Sequence, residues 1–327
     1  MMDRRRFIGA VAGSVFLTPF VANTQTLKPV RRIGVLSPGP TLSPAEYQGV
    51  WAPLRELGWI EGQNVVFERR WAEGRPERLL PLAQELVRLN VEIITTIGAD
   101  STVAAQSATT SIPIVMLSTG DPVGRRLVAG LSHPGGNVTG ISMVAPELDA
   151  KRVAFLRELV PGLQHVGVLV DPTTAIAGFS RKETEQTIRS LGMRPVVMEV
   201  SSLDGVEEAI AEVVRRQGQA LVVHDDVLFS RNQARVMSAV LSHRLPAAVE
   251  GRRMLEAGGL ISYENDQADQ IRRFAILVDK VLRRAKPGDL PIEQPTRFKL
   301  MINLKIARTL GISVPQTLLV LADEVIQ

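Results

Sequence analysis

Two polar turns within residues 93–142 hold the residues whose types and spacing best suit ligand binding. Each turn follows an apolar strand pattern and opens a predicted helix, so unpaired backbone N–H groups at the helix start would point outward. Such groups attract an anion, for example a carboxylate. The turns contribute Gly98, Asp100, Ser101, Thr102, Ser118, Thr119 and Asp121. Capping of the helices is the alternative role for the acidic and hydroxyl side chains.

Acidic and polar side chains also follow strand patterns in the second half of the chain. They come directly after apolar stretches at residues 166–170, 220–223, 247–249 and 260–262. Their oxygen atoms suit a ligand ammonium group, and turn formation is the alternative role. The residues are Asp171, Thr173, Asp225, Asp226, Glu250 and Tyr263.

Motifs for cofactor or metal chemistry are missing from the sequence. Residues 33–40 read IGVLSPGP after the first strand, so no Gly-x-Gly-x-x-Gly fingerprint stands there, and no P-loop, nucleophile elbow or His-Glu-x-x-His occurs. His224-Asp225-Asp226 offers adjacent metal ligands, but a polar strand end is the favoured interpretation. We therefore predict no cofactor, no metal and no enzymatic activity. An exported enzyme with Asp225 or Asp226 as general base is the alternative.

Aromatic residues are sparse but cluster early in the chain. Tyr47 and Trp51 lie four residues apart, hence on one face of a predicted helix, and Trp59 follows soon after. Burial in the core is the favoured interpretation, and a stacking platform for a ligand is the alternative.

The N-terminus has the pattern of an export signal. Arg4, Arg5 and Arg6 precede an apolar stretch at residues 10–21, with cleavage expected near Thr24. The arginines resemble a twin-arginine signal, and Sec export stays the alternative. A membrane anchor is disfavoured, because the stretch is shorter than the roughly 20 residues of a spanning helix. We predict that residues 1–25 form the signal and that the mature protein is periplasmic.

Composition narrows the range of partners. The formal net charge is +4, and half of it lies in the arginine-rich end, so we predict no nucleic-acid binding. The chain has no cysteine, which rules out disulfides, thiolate metal sites and a lipid-modified cysteine.

Strand and helix patterns alternate along the chain, which is typical of βαβ units in a parallel sheet. They form two series that meet near residues 142–148, including a helix predicted at 123–131. The sequence therefore predicts an α/β fold of two doubly wound parallel-sheet lobes, joined by a multi-crossing hinge, with a ligand crevice between them. We expect the first lobe at 30–143 plus about 264–290, and the second at 144–263 plus about 291–327.

Several segments together resemble the periplasmic substrate-binding proteins of ABC transporters, in the family that includes tryptophan- and tyrosine-binding importer components. The segments are Ile112–Val115, Gly120–Val123, Leu131–Gly140, Ala257–Tyr263, Ile302–Lys305 and Leu310–Gly311.

This resemblance implies a type I periplasmic-binding fold whose lobes close on a ligand by hinge bending. It places the ligand's carboxylate at the turns 98–102 and 118–121, and its amino or polar end at Asp171, Thr173, Asp225 and Asp226. Ser37, in the loop after the first strand, joins the predicted site. The implied function is a monomeric receptor that delivers an amino acid or related carboxylate to an ABC permease, and a ligand sensor is the alternative.

Overall fold

The computed structural model describes residues 30–143, 145–173, 177–224 and 226–327. The predicted export signal and the predicted ligand-binding Asp225 lie outside these residues. Among the helices that are described, none is long and apolar enough to cross a bilayer. The described chain forms two α/β lobes, each built on its own sheet.

The first lobe is a parallel sheet covered by helices on both faces. Its strands are β1 (Arg31–Ser37), β2 (Val65–Trp71), β3 (Ile93–Ile97), β4 (Ile114–Gly120) and β5 (Val138–Met143). Their order is β2-β1-β3-β4-β5. The helices between them are α1 (Pro44–Glu56), α2 (Leu79–Arg88) and α3 (Ala99–Ala108). The strands are rich in β-branched residues because helices bury both faces of the sheet.

The second lobe is a seven-stranded sheet. Its strands are β6 (His165–Val170), β7 (Arg194–Glu199), β8 (Ala220–Val223), β9 (Ala247–Val249), β10 (Ile261–Asn265), β11 (Phe298–Asn303) and β12 (Glu324–Ile326). The order is β12-β11-β10-β9-β8-β6-β7, and β10 and β11 are antiparallel. The helices in the second half of the chain are α4 (Ala145–Leu159), α5 (Ala177–Ser190), α6 (Val206–Arg215), α7 (Val227–Arg231), α8 (Gln233–Ser242), α9 (Arg252–Ala257), α10 (Gln267–Leu282), α11 (Leu304–Leu310) and α12 (Gln316–Leu321), and all of them except α10 belong to the second lobe.

The chain crosses between the two sheets three times. It leaves the first sheet after β5, returns after β10, and leaves again between Glu293 and β11. Helix α10 therefore packs on the first sheet, where Phe274 and Val278 share a core with Leu54 of α1. Asp266 caps α10, and its backbone N–H donates to the carbonyl of Arg297 at 2.9 Å. The two later crossings are thereby bonded to each other.

Two local expectations were wrong. The predicted helix at 123–131 is a series of turns: the N–H of Arg125 donates to the carbonyl of Asp121 at 3.1 Å, but Arg126 then has a positive φ of 57°, which interrupts the helical backbone. Tyr263 was expected just after the end of a strand, but it lies within β10, which pairs with the unpredicted strand β11. Antiparallel pairing extends β10 beyond the point where its apolar pattern ends.

Candidate ligand-binding site

The carboxyl ends of the strands in the two sheets face each other. At Gly74, just after β2, a Cβ atom would lie 3.1 Å from the guanidinium of Arg231 in α7. Glu46 in the first turn of α1 forms an ion pair of 3.3 Å with Arg253 at the start of α9. Both contacts join segments that follow strand carboxyl ends, so these ends enclose a cleft, as expected for parallel α/β sheets.

Helix α3 begins at this edge with uncapped backbone donors. Gly98 is its N-cap residue, has a φ of 77°, and provides no side chain to cap the helix. The positive φ explains the glycine, since other residues adopt this conformation at a cost. The first N–H groups of α3 therefore remain available for an anionic ligand. Asp100 is exposed and lies 3.6 Å from Arg125, so it forms a surface ion pair.

A cluster of buried hydroxyls supports the start of α3. The Oγ1 atom of Thr102 lies 2.8 Å from that of Thr96 and 3.4 Å from that of Thr119. It also donates to the carbonyl of Gly98 at 2.9 Å, and Ser101 donates to a carbonyl one turn earlier. These side chains are fully buried, so they fix the geometry of the turn. The sequence did not indicate Thr96 as a site residue, because it lies inside an apolar strand, where a threonine is typical.

The remaining predicted residues of the first lobe have local roles. Ser37 is buried, and its Oγ accepts a 3.3 Å hydrogen bond from the N–H of Gly39. Asp121 has a φ of 41°, and its carboxylate accepts from the N–H of Gly124 at 2.9 Å. Asp121 therefore closes a turn, and the predicted helix start at this position is absent. Ser118 lies within β4.

Two carboxylates come together in the second lobe, at the ends of neighbouring strands β6 and β8. Asp226 accepts the backbone N–H of Asp171 at 2.8 Å, and Asp171 accepts both the N–H and the hydroxyl of Thr173, at 2.9 and 2.7 Å. Both acids are 6% exposed. The structure thus brings together the three predicted residues, and the paired acids make this wall of the cleft suitable for a cation.

Glu250 and Tyr263 contact a buried arginine that sequence reasoning missed. Arg152 of α4 is 2% exposed; it lies 3.1 Å from the carboxylate of Glu250 and donates to the carbonyl of Tyr263 at 2.9 Å. The ring of Tyr263 packs between Phe155 and Phe298, with centroid distances of 5.4 and 5.7 Å. Tyr263 is therefore a packing residue of β10. Arg152 gave no sequence signal, because an arginine on an amphipathic helix is typical of an exposed face.

A second acid lies beside this ion pair. Burial raises the pKa of Glu264, and the negative charge of Glu250 raises it further, while Arg152 and Lys299 lower it. Burial and the neighbouring carboxylate therefore disfavour the charged form of Glu264.

Three polar side chains near the crossings are buried and lack a hydrogen-bond partner among the described residues. They are Ser142 at the end of β5, Asn265 at the end of β10 and Gln270 in α10, and the atoms concerned are Oγ, Oδ1 and Nε2. Buried polar atoms are normally satisfied, so a ligand or water is expected beside them. We include them in the candidate site. For Ser142 and Asn265, a polar residue near the end of a strand was the available sequence signal.

Comparisons with known proteins place this architecture among solute receptors. The profile of the family described as ABC transporter substrate binding protein matches residues 34–326. The chain is 24% identical over 278 residues to the tyrosine-binding protein of Clostridioides difficile (strain R20291), covering 84% of this chain and 79% of that protein.

Solved structures agree with this result. A crystal structure of an ABC domain in complex with L-Trp from Streptococcus pneumonia is 28% identical and has a TM-score of 0.81, covering 91% of this chain and all of that one. A conserved domain protein from Vibrio cholerae is 25% identical with the same TM-score, covering 90% and 99% of the two chains.

Proposed function

Because the chain belongs to the family of ABC transporter substrate-binding proteins, we propose that it is an exported receptor that holds an amino acid or related carboxylate between its lobes and delivers it to an ABC permease. Family membership and the two-lobed type I periplasmic-binding fold confirm the sequence predictions. The ligand, its orientation and its delivery are the proposal.

One observation carries the choice of ligand class: the two walls of the cleft have opposite electrostatic character. The uncapped start of α3 favours a carboxylate, and the paired acids Asp171 and Asp226 favour an ammonium group. An α-amino acid carries both groups on one carbon, so it can bridge the cleft and draw the lobes together. The names of the relatives that bind tyrosine and L-Trp support testing aromatic amino acids first.

The polar atoms near the crossings provide for the rest of the ligand. Ser142, Asn265 and Gln270 offer an uncommitted hydroxyl, an amide oxygen and an amide nitrogen. We propose that they bind a polar group of the side chain or the water that accompanies it.

Thermal melting against a ligand panel tests this function. The protein is first unfolded and refolded, so that it starts without bound ligand. We expect L-tyrosine, L-tryptophan or another L-amino acid to stabilise it by about 2.7 kcal/mol when the ligand concentration is 100 times its dissociation constant. Amines without the carboxylate, such as tyramine, and acids without the amine, such as phenylpyruvate, should shift the melt far less. Flat melts across all amino acids and carboxylates would contradict the proposal.

The recovered ligand separates a receptor from the enzyme alternative. After prolonged incubation, mass spectrometry should find the bound amino acid unchanged, whereas a converted ligand would favour catalysis. We also propose a monomeric mature protein whose lobes span 30–143 plus about 264–290, and 144–263 plus about 291–327. N-terminal sequencing and light scattering of the exported protein test cleavage near Thr24 and the monomeric state.

A further inference from the structure

The flank of the first lobe contains a groove that the proposed function does not use. It lies between helix α1 and β2, which is the edge strand of its sheet, and has a volume of about 780 Å³. The groove extends from Trp71, at the carboxyl end of β2, to Trp59, which precedes the amino end of that strand. It therefore runs along the side of the lobe and not across the cleft.

Aromatic side chains form the floor of this flank groove. Trp51 and Phe67 are each 8% exposed, and their ring centroids are 4.6 Å apart. Tyr47 contacts the edge of Phe67 at 5.9 Å, and the guanidinium of Arg69 lies 3.9 Å from the Tyr47 ring centroid. The burial of Trp51 agrees with its expected core role. Tyr47, Trp59 and Trp71 stay partly exposed and present ring surface to the groove.

Polar and charged side chains also line the groove. The hydroxyl of Tyr47 and the Nε of Arg69 are shielded from solvent, and the two side chains lie against each other. Glu61 neutralises Arg69 at 2.5 Å, and Arg55 adds a second cationic side chain to the lining. The lining thus carries two guanidinium groups against one carboxylate, which favours an anion.

We propose that the flank groove is a second binding site, separate from the cleft, for a small planar aromatic compound that carries one anionic group. The volume lies in the range of sites for small molecules. The ligand ring would stack against Trp59 or Trp71, and its anionic group would pair with the guanidinium groups of Arg55 and Arg69. This inference does not depend on the nature of the cleft ligand.

Tryptophan fluorescence reports on this groove, because the chain has three tryptophans and all three line it. The probe is 8-anilinonaphthalene-1-sulfonate, an anion whose planar naphthalene ring carries one sulfonate group. We expect saturable energy transfer from tryptophan to the probe, with one probe bound per chain. Isothermal titration checks the stoichiometry.

A substitution that fills the groove leaves its aromatic floor intact. Gly49 is an exposed residue of α1 that lines the groove, and a Cβ there would meet no atom within 4 Å. Gly49→Phe should fold, since it removes a glycine from a helix interior, and should weaken probe binding at least tenfold. Glu56→Phe places the same side chain on the same helix outside the groove, and should leave binding unchanged.

The cleft variant Asp226→Asn separates this proposal from the proposed function, because probe binding should survive the loss of the cleft charge. The proposal is overturned if energy transfer does not saturate, if Gly49→Phe binds the probe like the wild type, or if Asp226→Asn abolishes probe binding. Melting temperatures of each variant confirm that the folded protein is being compared.

Discussion

At the scale of single residues, Asp226 combines two roles that a conservative substitution can separate. Its carboxylate accepts the backbone N–H of Asp171, and its charge contributes to the acidic wall of the cleft. An asparagine keeps an acceptor oxygen but removes the charge. The first role stabilises the turn, and the second is the one proposed for ligand binding.

We therefore expect Asp226→Asn to lower amino-acid affinity about tenfold to a hundredfold, since a hydrogen bond to a charged group contributes about 1.5–3 kcal/mol. Its melting temperature without ligand should change little. Isothermal titration calorimetry gives the affinity, and Asp204→Asn, an acid with a side chain 90% exposed, serves as the control. Equal affinities for Asp226→Asn and the wild type would show that this carboxylate does not bind the ligand.

The raised pKa of Glu264 predicts that the difference in stability between the wild type and Glu264→Gln depends on pH. Because burial and Glu250 raise its pKa, the protonated form stabilises the fold, and this contribution is lost as the pH rises above the ordinary glutamate pKa. Glu264→Gln stays neutral, so it should match the wild type near pH 4 and exceed its free energy of unfolding at pH 7. Urea denaturation at both pH values measures this, with the exposed Glu208→Gln as control. A Glu264→Gln variant less stable than the wild type at pH 7 would contradict the assignment.

Sequence reasoning found those site residues that follow an apolar run directly. Asp171 and Asp226 are examples, because the polar residue after a buried strand must lie at its carboxyl end. Arg152 and Thr96 were not found, since their burial depends on neighbouring elements that are distant in sequence. The burial of Asn265 likewise depends on β11, whose Phe298 lies opposite it.

At the scale of elements, the local sequence pattern was sufficient to predict a strand where polar turns flank an apolar run. β8 and β9 match the apolar stretches 220–223 and 247–249 residue for residue. Outside such runs, tertiary contacts determine whether a segment forms a strand or a turn. β11 contains Lys299, and its residues Leu300 and Met301 lie opposite Tyr263 and Ser262 of β10. Its strand form depends on this antiparallel pairing. The turns at 123–131 depend on the positive φ of Arg126.

The pairing of β4 with β5 predicts that Gly140 does not tolerate a side chain. Gly140 lies opposite Met116 with a φ of 145°, and a Cβ atom there would come within 2.1 Å of the Met116 carbonyl oxygen. Gly140→Ala should cost roughly 3 kcal/mol or more of unfolding free energy through backbone strain and overpacking. Gly136→Ala, where a Cβ meets nothing within 4 Å, should stay within about 0.5 kcal/mol. Chemical denaturation compares them, and similar stabilities would contradict the strand geometry.

At the scale of the whole molecule, the contacts between the lobes lie at the mouth of the cleft. The facing strand ends followed from parallel topology, so the sequence was enough to predict the cleft. The pair Glu46–Arg253 depends on how the lobes meet, and no local pattern indicates it. Such an exposed pair contributes to closure without contacting the ligand.

Arg253→Gln should therefore weaken amino-acid affinity modestly, by about twofold to threefold at low salt. The difference should vanish near 1 M salt, because the pair is exposed and screened. Arg272→Gln, whose partner Asp269 is on its own helix, should show no effect at either salt concentration. A salt-independent loss of affinity would indicate that Arg253 contacts the ligand directly.

Helix α10 follows strands of the second lobe in the chain but packs on the first lobe, and this placement also constrains the order of folding during synthesis. Trp51 and Leu54 pack against Phe274 and Val278, so the amino-terminal lobe lacks part of its interior until residue 282 has left the ribosome. A nascent chain halted after β10 would expose that apolar surface. The two lobes therefore mature together late in translation, and neither forms an autonomous unit from one continuous stretch of chain.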